Sequence, residues 1–211
     1  MADPAIDAAQ LRIEIRNKRR GLGHAQRHAA AQQLAKRVGA LKIFAHAHDI
    51  AGFLAFDGEM DPSPLIERAW SMGKHVYLPV LTGNPQAHLV FAPFDADTRL
   101  KPNRFGIAEP QVSAKLILPP QRMDLVITPL VAFDATGTRM GMGGGFYDRS
   151  FAFLNNPGHL RKPHLLGVAY ELQKVDALTR QPWDIPLDGI VTEEALYEGQ
   201  TGYLFEDQTY D

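Results

Sequence analysis

The 211 residues predict an α/β fold of three layers, αβα, with a largely parallel central sheet and an N-terminal pair of helices. Short, nearly continuous apolar runs at 49–56, 125–133 and 165–170 carry β-branched residues. They read as strands buried on both faces, the pattern of a sheet covered by helices on either side. Segments with helical spacing alternate with these runs. A glycine-rich stretch follows the 125–133 run and precedes Phe146, Phe151, Phe153 and Leu154, which recur at roughly helical spacing, so the glycines lie where a strand hands over to a helix.

With 45% apolar residues the chain can bury a sizeable core as one domain over 1–211, with a helical N-terminus (about 7–39), an α/β core (about 49–196) and an acidic tail (205–211). A net charge of −2 gives no basic field, so nucleic acid is not an expected partner. The absence of cysteine excludes disulfides, thiolate catalysis and Cys-type zinc sites. No apolar run approaches the roughly 20 residues of a spanning helix, and residues 1–7 lack the basic region and apolar stretch of a signal peptide. A monomeric cytoplasmic protein without a membrane partner is expected.

The first helix is predicted over 7–21, with Leu11 and Ile15 one turn apart and a basic row of Arg12, Arg16 and Arg19 or Arg20 on another face. That row is open to two readings, a solvated face or an anion-binding stripe. A second helix over 24–38, with Leu34 and Val38 at helical spacing, is expected to pack on the first. His24 and His28, and His46 and His48, have no acidic partner in a metal-binding pattern and carry no metal assignment. The 49–56 strand ends in the polar loop 57–62, and loops at carboxyl ends of strands line the crevice of an open α/β sheet. Glu59 is either a ligand group there or a solvated acid.

A helix over 64–72 precedes strands at 75–81 and 88–94, which form a hairpin whose turn signal is Gly83-Asn84-Pro85. The 95–120 segment, with prolines at 102, 110, 119 and 120, is read as irregular. A strand at 165–170, a short helix over 171–178 and a last strand at 189–192 complete the pattern.

Glycine at 141, 143, 144 and 145 removes every Cβ in that stretch except that of Met142. The backbone can then take positive φ and approach a ligand closely, with N–H groups turned outward toward an anion. Neither a P-loop nor the dinucleotide fingerprint fits, because no Gly-Lys-Ser/Thr follows and position 146 is Phe. A turn that only lets helix pack on sheet is the simpler reading. Four glycines between Arg139 and Asp148-Arg149 favour phosphate.

The stretch Pro129-Leu-Val-Ala-Phe-Asp-Ala-Thr-Gly-Thr-Arg-Met-Gly-Met-Gly-Gly-Gly-Phe-Tyr-Asp-Arg149 resembles the signature of the 5-formyltetrahydrofolate cyclo-ligase family, also called methenyltetrahydrofolate synthetases. The resemblance extends from about Leu11 to Val191. It implies ATP- and Mg²⁺-dependent closure of 5-formyltetrahydrofolate, with or without a polyglutamate tail, to 5,10-methenyltetrahydrofolate.

Carried onto this sequence, the resemblance implies nucleotide contacts from Arg12, Arg16, Arg139, Met140, Gly141, Met142, Gly143, Gly144, Gly145, Phe146 and Tyr147. Folate contacts fall to Leu54, Glu59 and the same loop at Met142, Gly143, Gly144, Gly145 and Phe146. Arg139 and Gly144 stand at the reacting groups, and Asp148 and Asp184 match the metal aspartates, although each also suits a turn or a helix start. Gly144 replaces a lysine of some relatives, Phe146 a frequent tyrosine, and Ala8 a lysine four residues before Arg12. Two rivals stand beside this reading: a folate-sequestering protein, which would not need both metal aspartates, and a sugar-phosphate isomerase, for which no poised base is evident.

Overall fold

Neighbouring residues along the central strands face opposite cores. Ile50, Leu125, Ile127, Leu166, Val168 and Val191 join one buried cluster, while Ala51, Val126, Leu165 and Ile190 join another. This is the period-two alternation of a pleated strand, and with both faces apolar it leaves a continuous run in the sequence. A computed structural model describes residues 8–81, 88–156 and 162–206. The turn at Gly83-Asn84-Pro85, the first seven residues and the tail from 207 lie outside the described residues.

The helices are α1 (Ala8–Arg20), α2 (His24–Val38), α3 (Lys42–His46), α4 (Ser63–Ser71), α5 (Phe146–Ser150) and α6 (Tyr203–Glu206). The strands are β1 (Asp49–Ala51), β2 (His75–Leu81), β3 (Leu89–Pro93), β4 (Leu100–Pro102), β5 (Ala108–Pro110), β6 (Leu125–Pro129), β7 (Ala132–Phe133), β8 (Arg139–Met140), β9 (His164–Val168), β10 (Gly189–Val191) and β11 (Leu196–Glu198). Seven of them form one sheet in the order β11-β10-β9-β6-β1-β2-β3. The five inner strands pair in parallel, and β3 and β11 close the two edges antiparallel to their neighbours. The β2–β3 pairing is the expected hairpin.

One face of the sheet is covered by α2, α3 and α4 through Leu34, Val38, Phe44, Leu65, Ile66 and Ala69. The other is covered by shorter pieces carrying Met123, Phe133, Phe151, Ile185 and Leu187, which pack with Phe91 of the edge strand β3. The α/β layering is therefore present, with a second helical layer thinner than a regular αβα sandwich.

Several expectations need correction. Helices α1 and α2 do not pack as a pair: Leu11 and Ile15 of α1 bury against Val131 and Ala132, whereas α2 faces α4 and the sheet. The 125–133 run divides after Pro129. Its first part is β6, and its second part, β7, pairs antiparallel with β8 in a separate ribbon. The glycine turn thus leaves a ribbon strand, and the helix after it, α5, has only five residues. The predicted 171–178 helix is one 3-10 turn, Glu171–Gln173, and the 49–56 strand is regular only over β1. The β4–β5 ribbon and the edge strand β11 are additions that the sequence pattern did not announce.

The order of the strands locates the crevice. From β1 the chain moves outward through β2 and β3, then returns to β6 on the other side of β1 and moves outward again through β9 and β10. The direction of progress reverses between β1 and β6. In an open parallel sheet a ligand binds at such a switch point, beyond the carboxyl ends of the strands. The segments leaving those two strands are the 52–62 loop and the glycine ribbon.

Candidate active site

Helix α1 lies against the ribbon because Leu11 and Ile15, one turn apart, meet Val131, Ala132 and Met140. Met140 accordingly turns its side chain into this apolar contact, while its carbonyl accepts the Val131 N–H at 2.8 Å. The packing sets Arg12 beside the glycine turn, where its Nε donates to the Gly141 carbonyl at 2.9 Å. A Cβ on Gly143 would lie 3.7 Å from the Arg12 guanidinium carbon.

The turn uses its glycines. Gly143 has φ of 93° and Gly145, which caps α5, has φ of 63°, values that L-residues with a Cβ rarely adopt. A Cβ on Gly144 would stand 2.8 Å from the Phe146 ring. The Arg149 guanidinium covers that ring at 5.2 Å from its centre, and the buried Arg149 Nε has no hydrogen-bond partner among the described residues. Because α5 is one turn long, its dipole adds little, and the N–H groups of 141–145 donate to no described residue. Met142 at the tip of the turn is 50% exposed and Phe56, at the facing loop, 44% exposed.

Arg139 stands just before the turn with both terminal nitrogens engaged, one on the Ile185 carbonyl at 2.6 Å and one on Asp148 Oδ1 at 2.5 Å. The Ile185 N–H donates to the same Asp148 oxygen at 3.1 Å. This lock draws the 184–185 segment to the start of α5 and brings Asp184 and Asp148, 36 residues apart in sequence, to neighbouring backbone. Asp184 Oδ2 accepts the Gln181 N–H at 2.8 Å. Each carboxylate keeps one oxygen without a hydrogen bond among the described residues, and among those residues no group of three or more acidic or imidazole side chains gathers as a metal cluster.

On the other wall Glu59 is half-buried and its Oε2 accepts the Phe56 N–H at 3.1 Å. Burial raises its carboxyl above the usual range, and that hydrogen bond with the charge of Arg19 pulls it part of the way back. Burial raises the Tyr147 phenol, with the Glu59 charge adding to the effect and the Arg139 charge opposing it. Leu54, half-buried, occupies the extended segment that leads into the same loop.

Arg16 turns away from the glycine turn. Its Nε donates to Asp57 Oδ2 at 2.6 Å, and Arg20 pairs with the other oxygen of Asp57. Burial works against the Asp57 charge, but the hydrogen bonds from Arg16 and Arg20 outweigh it and hold the carboxyl below its ordinary value. The basic row is therefore 12, 16 and 20. Arg19 lies instead on the apolar line of Leu11 and Ile15 and is fully buried. Neither Asp57 nor the burial of Arg19 is evident from residue type. The signal available was spacing, since 11, 15 and 19 follow at intervals of four.

The model of the 5-formyltetrahydrofolate cyclo-ligase family matches residues 5–193. The chain belongs to that family. A cyclo-ligase of Escherichia coli (strain K12) is 44% identical over 184 residues, covering 87% of this chain and 99% of its own length. That of Haemophilus influenzae is 40% identical over 182 residues, covering 86% and 95%. Among solved structures, the 5,10-methenyltetrahydrofolate synthetase of Aquifex aeolicus superposes with a TM-score of 0.76 at 28% identity, covering 92% of this chain and 93% of its own. The synthetase of Mycoplasma pneumoniae, at 23% identity and a TM-score of 0.68 over 89% of this chain, shares the fold. The glycine turn follows the β7–β8 ribbon beyond β6, and the Glu59 loop follows β1, so both segments lie beyond the carboxyl ends of the two strands at the switch point.

Proposed function

We infer that the protein is an ATP-dependent ligase that closes 5-formyltetrahydrofolate to 5,10-methenyltetrahydrofolate, releasing ADP and phosphate. The observation that carries this is the meeting of the glycine turn, Arg12 and the Glu59 loop at the strand-order switch point. A nucleotide triphosphate on the turn and a folate against Glu59 would meet there.

A formamide is a poor electrophile, and its oxygen must leave as something better than hydroxide. The N5-formyl oxygen attacks the γ-phosphorus of ATP, the bond to the β-γ bridging oxygen breaks, and ADP departs. N10 then adds to the activated carbon and loses its proton, and phosphate leaves with the former formyl oxygen as the methenyl bridge forms. Phosphoryl transfer of this kind asks the protein for alignment and charge compensation. In this reading the N–H groups of 141–145 and the Arg12 guanidinium hold the phosphates, with Phe146 and Met142 against the folate side of the loop. Arg139 acts by fixing Asp148 and the 184–185 segment.

Asp148 and Asp184 would hold Mg²⁺, which when bound neutralises phosphate charge. Glu59, as a carboxylate, accepts the N–H donors of the pterin edge, and Leu54 packs beside it. Arg16 enters through the Asp57 clamp that seats α1. The enzyme works in the cytoplasm as a monomer, on folate with or without a glutamate tail.

The test is absorbance of the conjugated methenyl product from 5-formyltetrahydrofolate and Mg²⁺, followed with and without ATP. Growth that requires ATP is expected. Folate binding with no ATP-dependent signal would replace the ligase reading with sequestration.

A further inference from the structure

Arg19 is 0% exposed, yet it is an arginine at the last turn of a helix whose other arginines face solvent or surface loops. Its guanidinium spans the two walls of the crevice. One terminal nitrogen donates to the Asp57 carbonyl at 3.0 Å and lies 3.7 Å from the Asp57 carboxylate. The other reaches the Leu130 carbonyl at 3.4 Å, at the point where β6 gives way to the glycine ribbon. Gln173 shares that junction, donating to the Leu130 and Val131 carbonyls at 2.7 and 2.9 Å. Burying a guanidinium with one nitrogen, Nε, unbonded is costly. An apolar residue would fill the α1 stripe at less expense if packing were the whole purpose.

We propose that Arg19 is the positioning residue for Glu59, pinning its loop to the Leu130 junction and setting a fixed positive charge against its carboxylate. This rests on the reading of Glu59 as a folate ligand. Asp57 is the acid in contact with Arg19, and the Glu59 carboxylate two residues further along the same loop also favours the Arg19 charge. The groups facing Glu59 are Arg19 and Arg16 from α1, Asp57 and the Phe56 N–H from its own loop, and Tyr147 from α5. From beyond β9, Tyr170 donates to the Glu59 backbone carbonyl at 3.3 Å. Burial and Asp57 favour the protonated acid, while the arginines and the Phe56 N–H favour the carboxylate. After the Phe56 N–H, the Arg19 charge does most to oppose burial in that set, so Arg19 helps a half-buried acid meet the pterin donors ionised.

The sign follows directly. Removing the Arg19 charge raises the protonation midpoint of Glu59, and folate affinity, which needs the carboxylate, is then lost at higher pH on the acid side. The experiment measures 5-formyltetrahydrofolate affinity without ATP from about pH 5 to about pH 9 in the wild type, R19Q, E59Q and the double variant. The acid limb should move upward by about one pH unit or more in R19Q, and should vanish in E59Q and in the double variant. If E59Q leaves affinity and its pH dependence unchanged, Glu59 is no folate ligand and the underlying reading falls. If E59Q removes the limb but R19Q weakens binding evenly across pH, Glu59 stands and the role given to Arg19 is overturned. Should R19Q not fold, R19M, which fills the same buried stripe without the charge, is carried through the same series: an acid limb moved upward supports the proposal, and even weakening across pH overturns it.

Discussion

Gly144 is exposed, and its backbone needs no positive φ, so the usual reasons for glycine do not apply to it. What a side chain there would meet is the Phe146 ring, at 2.8 and 2.9 Å from an added Cβ, and behind that ring the Arg149 guanidinium. Gly144→Val should therefore displace the ring and the shape of the turn without entering the core. Misplacing reacting groups by an ångström can lower turnover by about 100-fold. The expected result is a loss in kcat/KM of that order with a Tm within a few degrees of wild type. Parallel losses of activity and stability would instead make Gly144 a residue of the fold. The importance of this turn was legible in sequence because glycine density at 141–145 is a local signal. The engagement of Arg139 was not, since its partners, Asp148 and the Ile185 carbonyl, are supplied by other segments.

At the scale of the element, α1 is held at the crevice by two devices, its apolar contact with the β7–β8 ribbon and the arginine clamp on Asp57. Asp57 has φ of 53°, a left-handed conformation that asparagine also tolerates. Asp57→Asn thus removes the charge while keeping the backbone, and charge-assisted hydrogen bonds of this kind are worth about 1–2 kcal/mol each, or several degrees in Tm for a chain of this size. Because the folded carboxyl is held below its ordinary value, its contribution is full above about pH 4, the unfolded value, and fades as pH falls through the folded one. Melting curves of wild type and D57N should be separated at neutral pH and converge toward about pH 2. A separation that persisted undiminished in acid would show that the clamp acts through something other than charge.

The amphipathic row of α1 was readable from residue spacing alone. The place of Arg19 was not, because its partners are 38 and 111 residues away and an arginine reads as exposed by type. For the same reason the 125–133 run looked like one strand. Local pattern carries burial and alternation, but it does not carry the choice of Ala132 and Phe133 to pair with Arg139 and Met140 rather than with the sheet. The short second layer shows the same limit: a few aromatics at rough helical spacing mark a buried face without fixing helix length.

For the whole molecule, the inner strands were the most legible part, since a parallel sheet buried on both faces leaves uninterrupted apolar runs. Their order was not written in any one run. It emerges from the return of the chain across β1 to β6, and that return creates the crevice in which the Glu59 loop and the glycine turn face each other. Ring closure requires the two walls to bring a formyl oxygen and a γ-phosphate together. The most direct measurement uses 5-formyltetrahydrofolate carrying ¹⁸O in the formyl group, with unlabelled ATP and water, and determines by mass spectrometry where the label emerges. One ¹⁸O in each molecule of released phosphate is the predicted result. Label recovered in water, with unlabelled phosphate, would contradict direct transfer of the γ-phosphoryl group to the formyl oxygen.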